Sequence, residues 1–332
     1  MECAGIWLLT CVATAGPVAS SSVRLNAQEP SSPEARAVAY LSAEVPRWRR
    51  EHPCYSCHNN GDGTRALIAA SRRGLMDAAS LGDAAGWLRT PERWAQNSDD
   101  GGVKDLPLAR IQFASALQLL VEAGQAEGAA LGRAAVLVAA DQRPDGSWPI
   151  SASAAIGSPA GYGTPLATAV ARALLARAGG PEARTAVERA DRWFRASNAE
   201  SVIDASAVLL GIERAADSEA AVRRRVSLRL LKQGQGRDGG WGPFVSSPSE
   251  PFDTALAMLA LAPLRDRPEL ATPAYSVAEL NDAILRARGY LLQQQNEDGS
   301  WTETTRPAQQ ESYAQRISTT GWATLALLAS TP

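Results

Sequence analysis

Cys54-Tyr55-Ser56-Cys57-His58 is the segment of this sequence best equipped to do chemistry. Two thiols at C-x-x-C spacing can form thioethers to the two vinyl groups of a haem, and the histidine that follows can swing beneath the iron as proximal ligand. Of the four cysteines, Cys3 and Cys11 fall in an apolar N-terminal stretch, which leaves Cys54 and Cys57 as the thiols of the remaining chain. The expectation is one covalent haem c attached through Cys54 and Cys57, with His58 on its iron. Two other chemistries compete for these residues. A disulfide or redox pair would use the thiols alone, although a thioredoxin-like pair expects a preceding strand and βαβ surroundings that this sequence does not offer. Zinc could draw on His52, Cys54, Cys57 and His58, but the adjacent Cys57 and His58 would both have to turn toward one small tetrahedral ion.

A sixth iron ligand has to come from elsewhere. Met76 is near in sequence, yet at the far end of a helix over 62–76 it would lie about 20 Å from the haem loop. Met258, five residues past Asp253 at the start of a helix, lies about 8 Å from that helix's rim and is the better distal candidate. An open sixth position stands beside it and would favour small-molecule redox chemistry.

Haem attachment of this kind belongs to exported proteins, and the N-terminus supplies that context. The run from Ala4 to Ala15 is too short to cross a bilayer but suits the apolar region of a signal peptide, even though Glu2 stands where a positive residue is usual. Small-residue cleavage points end at Ala15, Ala19 or Ala27, so 1–27 is read as a signal segment and 28–332 as the mature domain of a periplasmic or secreted protein. Cys11 as a lipid anchor is a further alternative, with Thr10 a poor residue before it. No other stretch reads as a transmembrane helix. The formal charge is −2 and 45% of residues are apolar, which argues for a large core and against nucleic acid as a partner.

The elements that position the motif are legible from an internal repeat. Gln142-Arg143-Pro144-Asp145-Gly146-Ser147-Trp148, Gln235-Gly236-Arg237-Asp238-Gly239-Gly240-Trp241 and Gln295-Asn296-Glu297-Asp298-Gly299-Ser300-Trp301 share one pattern, and Asp99 to Val103 is a degenerate copy. An amphipathic helix precedes each copy and a helix apolar nearly all round follows it, as an outer and an inner helix would. Between them Asp-Gly is turn chemistry. The outer/inner pairs expected are 34–50/62–76, 79–97/106–124, 128–141/162–178, 182–197/201–215, 218–233/252–264 and 277–295/313–330. Six hairpins can close into an all-α (α/α)6 toroid around a central cavity, with the haem loop at 54–58 on the rim shared by the Asp-Gly-Trp turns.

These turns resemble the repeat of squalene/hopene cyclases and protein prenyltransferases over about residues 80 to 330. The resemblance implies that Gln142, Gln235 and Gln295 pack with Trp148, Trp241 and Trp301 and tie each outer helix to the next inner one. Cyclases of that family protonate an alkene with the middle Asp of Asp-x-Asp-Asp-Thr-Ala. The nearest match here is Glu250-Pro251-Phe252-Asp253-Thr254-Ala255, where Phe252 takes the proton donor's place. Prenyltransferases need Asp, Cys and His on zinc, and outside the haem motif the mature chain offers only His52. Asp253 and Asp204 read as carboxylates complementing helix N-termini, Tyr162, Tyr275 and Tyr313 as packing residues, and Glu250 and Glu311 as solvated.

The expected function is therefore that of an exported monohaem c-type protein, exchanging electrons with a redox partner protein or acting on a small apolar molecule in the ring. A toroid that grips a peptide or lipid without catalysis is the alternative, and a terpenoid cyclase ranks behind both.

Overall fold

Ser32 accepts a hydrogen bond from the Ala35 amide at 3.1 Å, and Pro33 sits at the first helical position, so the chain enters a helix at once. That helix, α1 (Pro33–Glu51), is the first of six outer helices. The others are α3 (Gly82–Leu88), α5 (Gly128–Ala140), α7 (Pro181–Ala196), α9 (Ser218–Gly234) and α11 (Val277–Gln293). They alternate with six inner helices: α2 (Thr64–Arg72), α4 (Leu106–Glu122), α6 (Thr164–Ala178), α8 (Val202–Gly211), α10 (Pro251–Leu261) and α12 (Tyr313–Ser330). Each inner helix packs on the inner helix before and after it, and α12 packs on α2, so the ring is closed. The protein is an all-α toroid; among the described residues there is no strand, only an isolated bridge between Gln295 and Trp301.

The structure is a computed structural model and describes residues 32–52, 54–96, 105–150, 162–213, 215–270, 274–306 and 309–330. The expected signal segment 1–27, with Cys3 and Cys11, and the degenerate repeat at Asp99 to Val103 lie outside the described residues. Among the described residues no helix is long and apolar enough to cross a membrane.

The repeat turns are three-way clamps. The indole nitrogens of Trp148, Trp241 and Trp301 each donate at 2.7 Å to a carbonyl of the preceding outer helix, on Val138, Leu231 and Leu291. Their backbone amides meet Thr168, Thr254 and Thr320 on the following inner helix. The glutamines reach further than expected, to the next outer helix: Gln142 donates to the Ala186 carbonyl, Gln235 to that of Ala283 and Gln295 to that of Pro33. An arginine on that helix donates back to each glutamine, from Arg189, Arg286 and Arg36. Gly146, Gly239 and Gly299 hold positive φ where a Cβ would strike the backbone of these same helices at 2.4–2.6 Å, so glycine is required twice over. The third clamp grips α1, and an ion pair between Arg288 and Glu34 reinforces it.

The first two hairpins depart from the expected bounds. Gly74, at φ 72°, ends α2 by letting the Leu75 amide return to the Ala70 carbonyl, so the helix stops at Arg72 and Met76 lies beyond it. The outer helix expected over 79–97 is broken into 3-10 turns at Ala78–Leu81 and Pro91–Gln96 around a two-turn α3.

Candidate functional site

The segment before α2 is a π-helical turn, Cys57–Gly63, and not the loop expected from the sequence. Ser56 opens it by accepting from the His58 amide, while Asn60 accepts from the Ser56 amide. A π turn widens the helix by one residue per turn and is found mostly at functional sites. Here the widened turn presses between α4 and α12 because its glycines allow contact closer than side chains could. A Cβ on Gly61 would stand 2.7 Å from the Gln112 Cβ, and one on Gly321 of α12 would stand 2.8 Å from the Asp62 carbonyl oxygen.

Asp62 is fully buried at the inner face of this turn, and three donors from three walls converge on it. One carboxylate oxygen accepts from Gln112 Nε2 at 2.8 Å and from Ser318 Oγ at 2.6 Å; the other accepts from the Tyr162 hydroxyl at 3.2 Å. Burial, reinforced by the charge of Asp62, pushes the Tyr162 phenol well above its ordinary pKa and keeps it a donor. Arg65, one turn on, donates to Ser115 Oγ and lies with its guanidinium 4.2 Å over the Trp322 ring. It forms no ion pair among the described residues. Tyr162 and Phe252 flank Trp322 edge-on at 5.8 and 5.7 Å. Phe252 and Trp322 are each 2% exposed.

His58 shares this turn with Asp62 and is itself buried. Burial lowers its pKa below the usual imidazole value, and the nearby Asp62 opposes that only in part. The imidazole is thus neutral, the form that binds metals. Its Nδ1 lies 3.4 Å from Cys57 Sγ. Cys54 and Cys57 are both free thiols, so the disulfide reading is not realised. Among the described residues no three His, Cys, Asp or Glu side chains are grouped to hold a metal ion, which removes the four-ligand zinc reading. His52 instead caps α1 and packs on Trp48, with ring centroids 4.1 Å apart. Met258 is buried in α10, and α12 stands between that helix and the turn carrying His58. Met76 lines a cleft on the outer side of α2 with Asn60 and Thr64.

Asp253 lies in the first turn of α10, where a carboxylate complements the helix N-terminus as expected, but it does not hold the cap position. Glu250 holds the cap position of α10. The Asp253 carboxyl is fully buried, with one oxygen 2.8 Å from Arg306 and the other unpartnered. Burial raises its pKa to about 7 against the pull of Arg306. Glu250 also pairs with Arg306, at 3.1 Å, whereas Glu311 is the solvated carboxylate expected. Asp204 accepts from the Glu200 amide at the start of α8, as a carboxylate there should. Sequence reasoning passed over Asp62, Arg65, Gln112 and Ser318 altogether and read Tyr162 as packing; the only local signal was Gly61-Asp62-Gly63, which looks like a turn.

No protein-family model matches the sequence, and no curated relative does. Solved structures do resemble it. An arginine-to-alanine variant of the type II terpene cyclase MstE from Scytonema, in complex with geranylgeranyl dihydroxybenzoate, superposes with a TM-score of 0.58 at 16% identity, over 90% of this chain and 97% of that one. The chain shares their fold. A protein from Actinoplanes gives a TM-score of 0.55 at 16% identity over 90% and 99% of the two chains. A glycosidase variant in complex with glucose gives 0.55 at 15% identity over 90% and 98%. Neighbours with such different chemistry show an architecture and leave the activity to the site.

Proposed function

We propose that this protein is an exported c-type haem protein built on the toroid, exchanging electrons with a partner protein or with a small molecule at the rim where the inner helices begin. The supporting observation is that two free thiols and a neutral His58 occur within five consecutive residues, at and just before the turn that enters the ring. This donor set suits a haem: Cys54 and Cys57 would carry the thioethers and His58 would hold the iron. Haem supplies one-electron transfer and, with an open sixth position, binding of a small ligand. The chain's own part is orientation. Ser56 and Asn60 brace the start of the turn, and Gln112, Ser318 and Tyr162 fix its end through Asp62, so the imidazole is aimed from both sides. Tyr162 keeps its proton at the phenol oxygen. The sixth position is left open, because α12 stands between Met258 on α10 and the turn carrying His58.

The test is a haem stain of the denatured protein recovered from the periplasm, with its visible spectrum. Covalent haem should be present in the wild type and lost when Cys54 and Cys57 are both replaced by Ala. His58→Ala should keep the stain and change the spectrum, and an unchanged spectrum removes His58 from the iron. A haem-free binding toroid is the second reading, favoured by the enclosure of the turn: burial pushes the Cys57 thiol up to about 12, and His58 to Gly63 are all buried. A protein without stain but with a bound lipid or peptide would establish it. Cyclisation by alkene protonation is not part of the proposal, since Phe252 has no proton to give. Incubation with squalene should yield no cyclic product.

A further inference from the structure

The early end of α2 and the brokenness of the second outer helix leave a gap beside the first hairpin. It is a cleft of about 270 Å³ between α1, α2 and α3, near the small end of the range usual for ligand sites, roughly 300–1,000 Å³. Its walls are apolar at Val45, Leu67, Met76, Leu81 and Ala84. Its polar lining includes Ser42, Asn60, Thr64 and Ser80, and its cations are Arg49 and Arg50, neither of which forms an ion pair among the described residues. Arg49 is held in place over the Tyr55 ring, 4.8 Å from its centroid, and its Nε is buried without a partner. Asp83, the one carboxylate of the lining, is engaged by the Tyr55 hydroxyl at 2.8 Å. A guanidinium N–H buried without an acceptor is costly, and an anion supplies that acceptor in the strongest form.

We propose that this cleft binds a small amphiphilic carboxylate, its chain against Val45, Leu67, Leu81 and Met76 and its head group on Arg49 and Arg50. The fit is chemical as well as spatial. A neutral chain of the same length gains the apolar wall but leaves the Arg49 Nε unpaired, and a cationic head meets two like charges. Pro46 adds a specific feature: lacking an N–H, it deprives the Ser42 carbonyl of its helical donor, and both residues line the cleft, so a hydroxyl near the head group would find an acceptor. The cleft is lined by none of Cys54, Cys57, His58 and Asp62, and the inference stands or falls separately from haem attachment.

Titration calorimetry of the protein as purified, with decanoate, decanol and decyltrimethylammonium as probes, tests it. Decanoate should bind at least about tenfold more tightly than decanol, and the cation should not bind measurably. The Arg49→Gln/Arg50→Gln double variant, altered at the cleft edge and therefore still folded, should bind decanoate no better than decanol. Ala84→Trp, which fills the cleft, should abolish binding of both. Equal affinity for all three probes, no binding of any of them, or decanoate binding that ignores the double variant would overturn the proposal; the haem stain is the same in every case.

Discussion

At the scale of single residues, two buried carboxylates make opposite statements. Asp62 is satisfied by three donors, so Asp62→Asn sets an NH2 group among them. We expect a loss of about 1–3 kcal/mol in the denaturation midpoint, larger than for Tyr162→Phe, which removes one long bond. Asp253 is under-satisfied, and its pKa is raised from 3.8 to about 7. The folded state therefore binds more protons than the unfolded one between those values, and this group's contribution to stability falls as pH rises through the window. Asp253→Asn removes the titration, so the variant should gain on the wild type from pH 4 to 7 by more than about 1 kcal/mol. A pH-independent difference would show that Arg306 already neutralises it. The Cys54 to His58 pattern stands out in the sequence because its residues are contiguous. Asp62 was not, because its partners lie 50, 100 and 256 residues away and a lone Gly-Asp-Gly carries no trace of them.

At the scale of elements, glycine decides how closely the π turn and its neighbours meet. Gly61→Ala would drive a Cβ into the Gln112 Cβ, where neither atom is a flexible chain end, and should cost about 1–3 kcal/mol. Gly289, inside α11 with nothing near its absent Cβ, is the control: Gly289→Ala should stabilise by about 0.5–1 kcal/mol. Thermal melts of the two variants should move in opposite directions. The order of inner and outer helices was readable because hydrophobic periodicity and Asp-Gly turns are local signals. The reach of each motif glutamine to the next outer helix was not, since its arginine partner stands 47 residues on for Gln142 and 51 for Gln235. The first hairpins were misjudged for a related reason. Gly74, Gly82 and Pro91 interrupt a pattern whose apolar spacing alone still reads as helix.

At the scale of the whole molecule, the ring is closed by its first and last hairpins, through Gln295, Gly299 and Arg288 against α1. Gln295→Ala breaks that seam alone. It should destabilise the protein more than Arg133→Ala, whose partner Glu92 is exposed, and the extra loss should appear as earlier proteolysis between α1 and α2. A circular permutant opened at Gly179-Gly180, with the old ends joined, should keep the fold, because the inner helix α6 and the outer helix α7 that flank that turn are both held by the clamp at Gln142 and Trp148. The same seam imposes an order of events on synthesis. The contacts that seat α1 span about the full length of the chain, separations of 254 to 262 residues, and non-local contacts of this kind form late. Until the last hairpin has emerged, the stretch that follows α1 stays without its α12 wall and open to solvent. The thiols of Cys54 and Cys57 are thus more open in the nascent chain than in the finished one, where both are half-buried, which gives any enzyme that modifies them a window set by the length of the chain still to come.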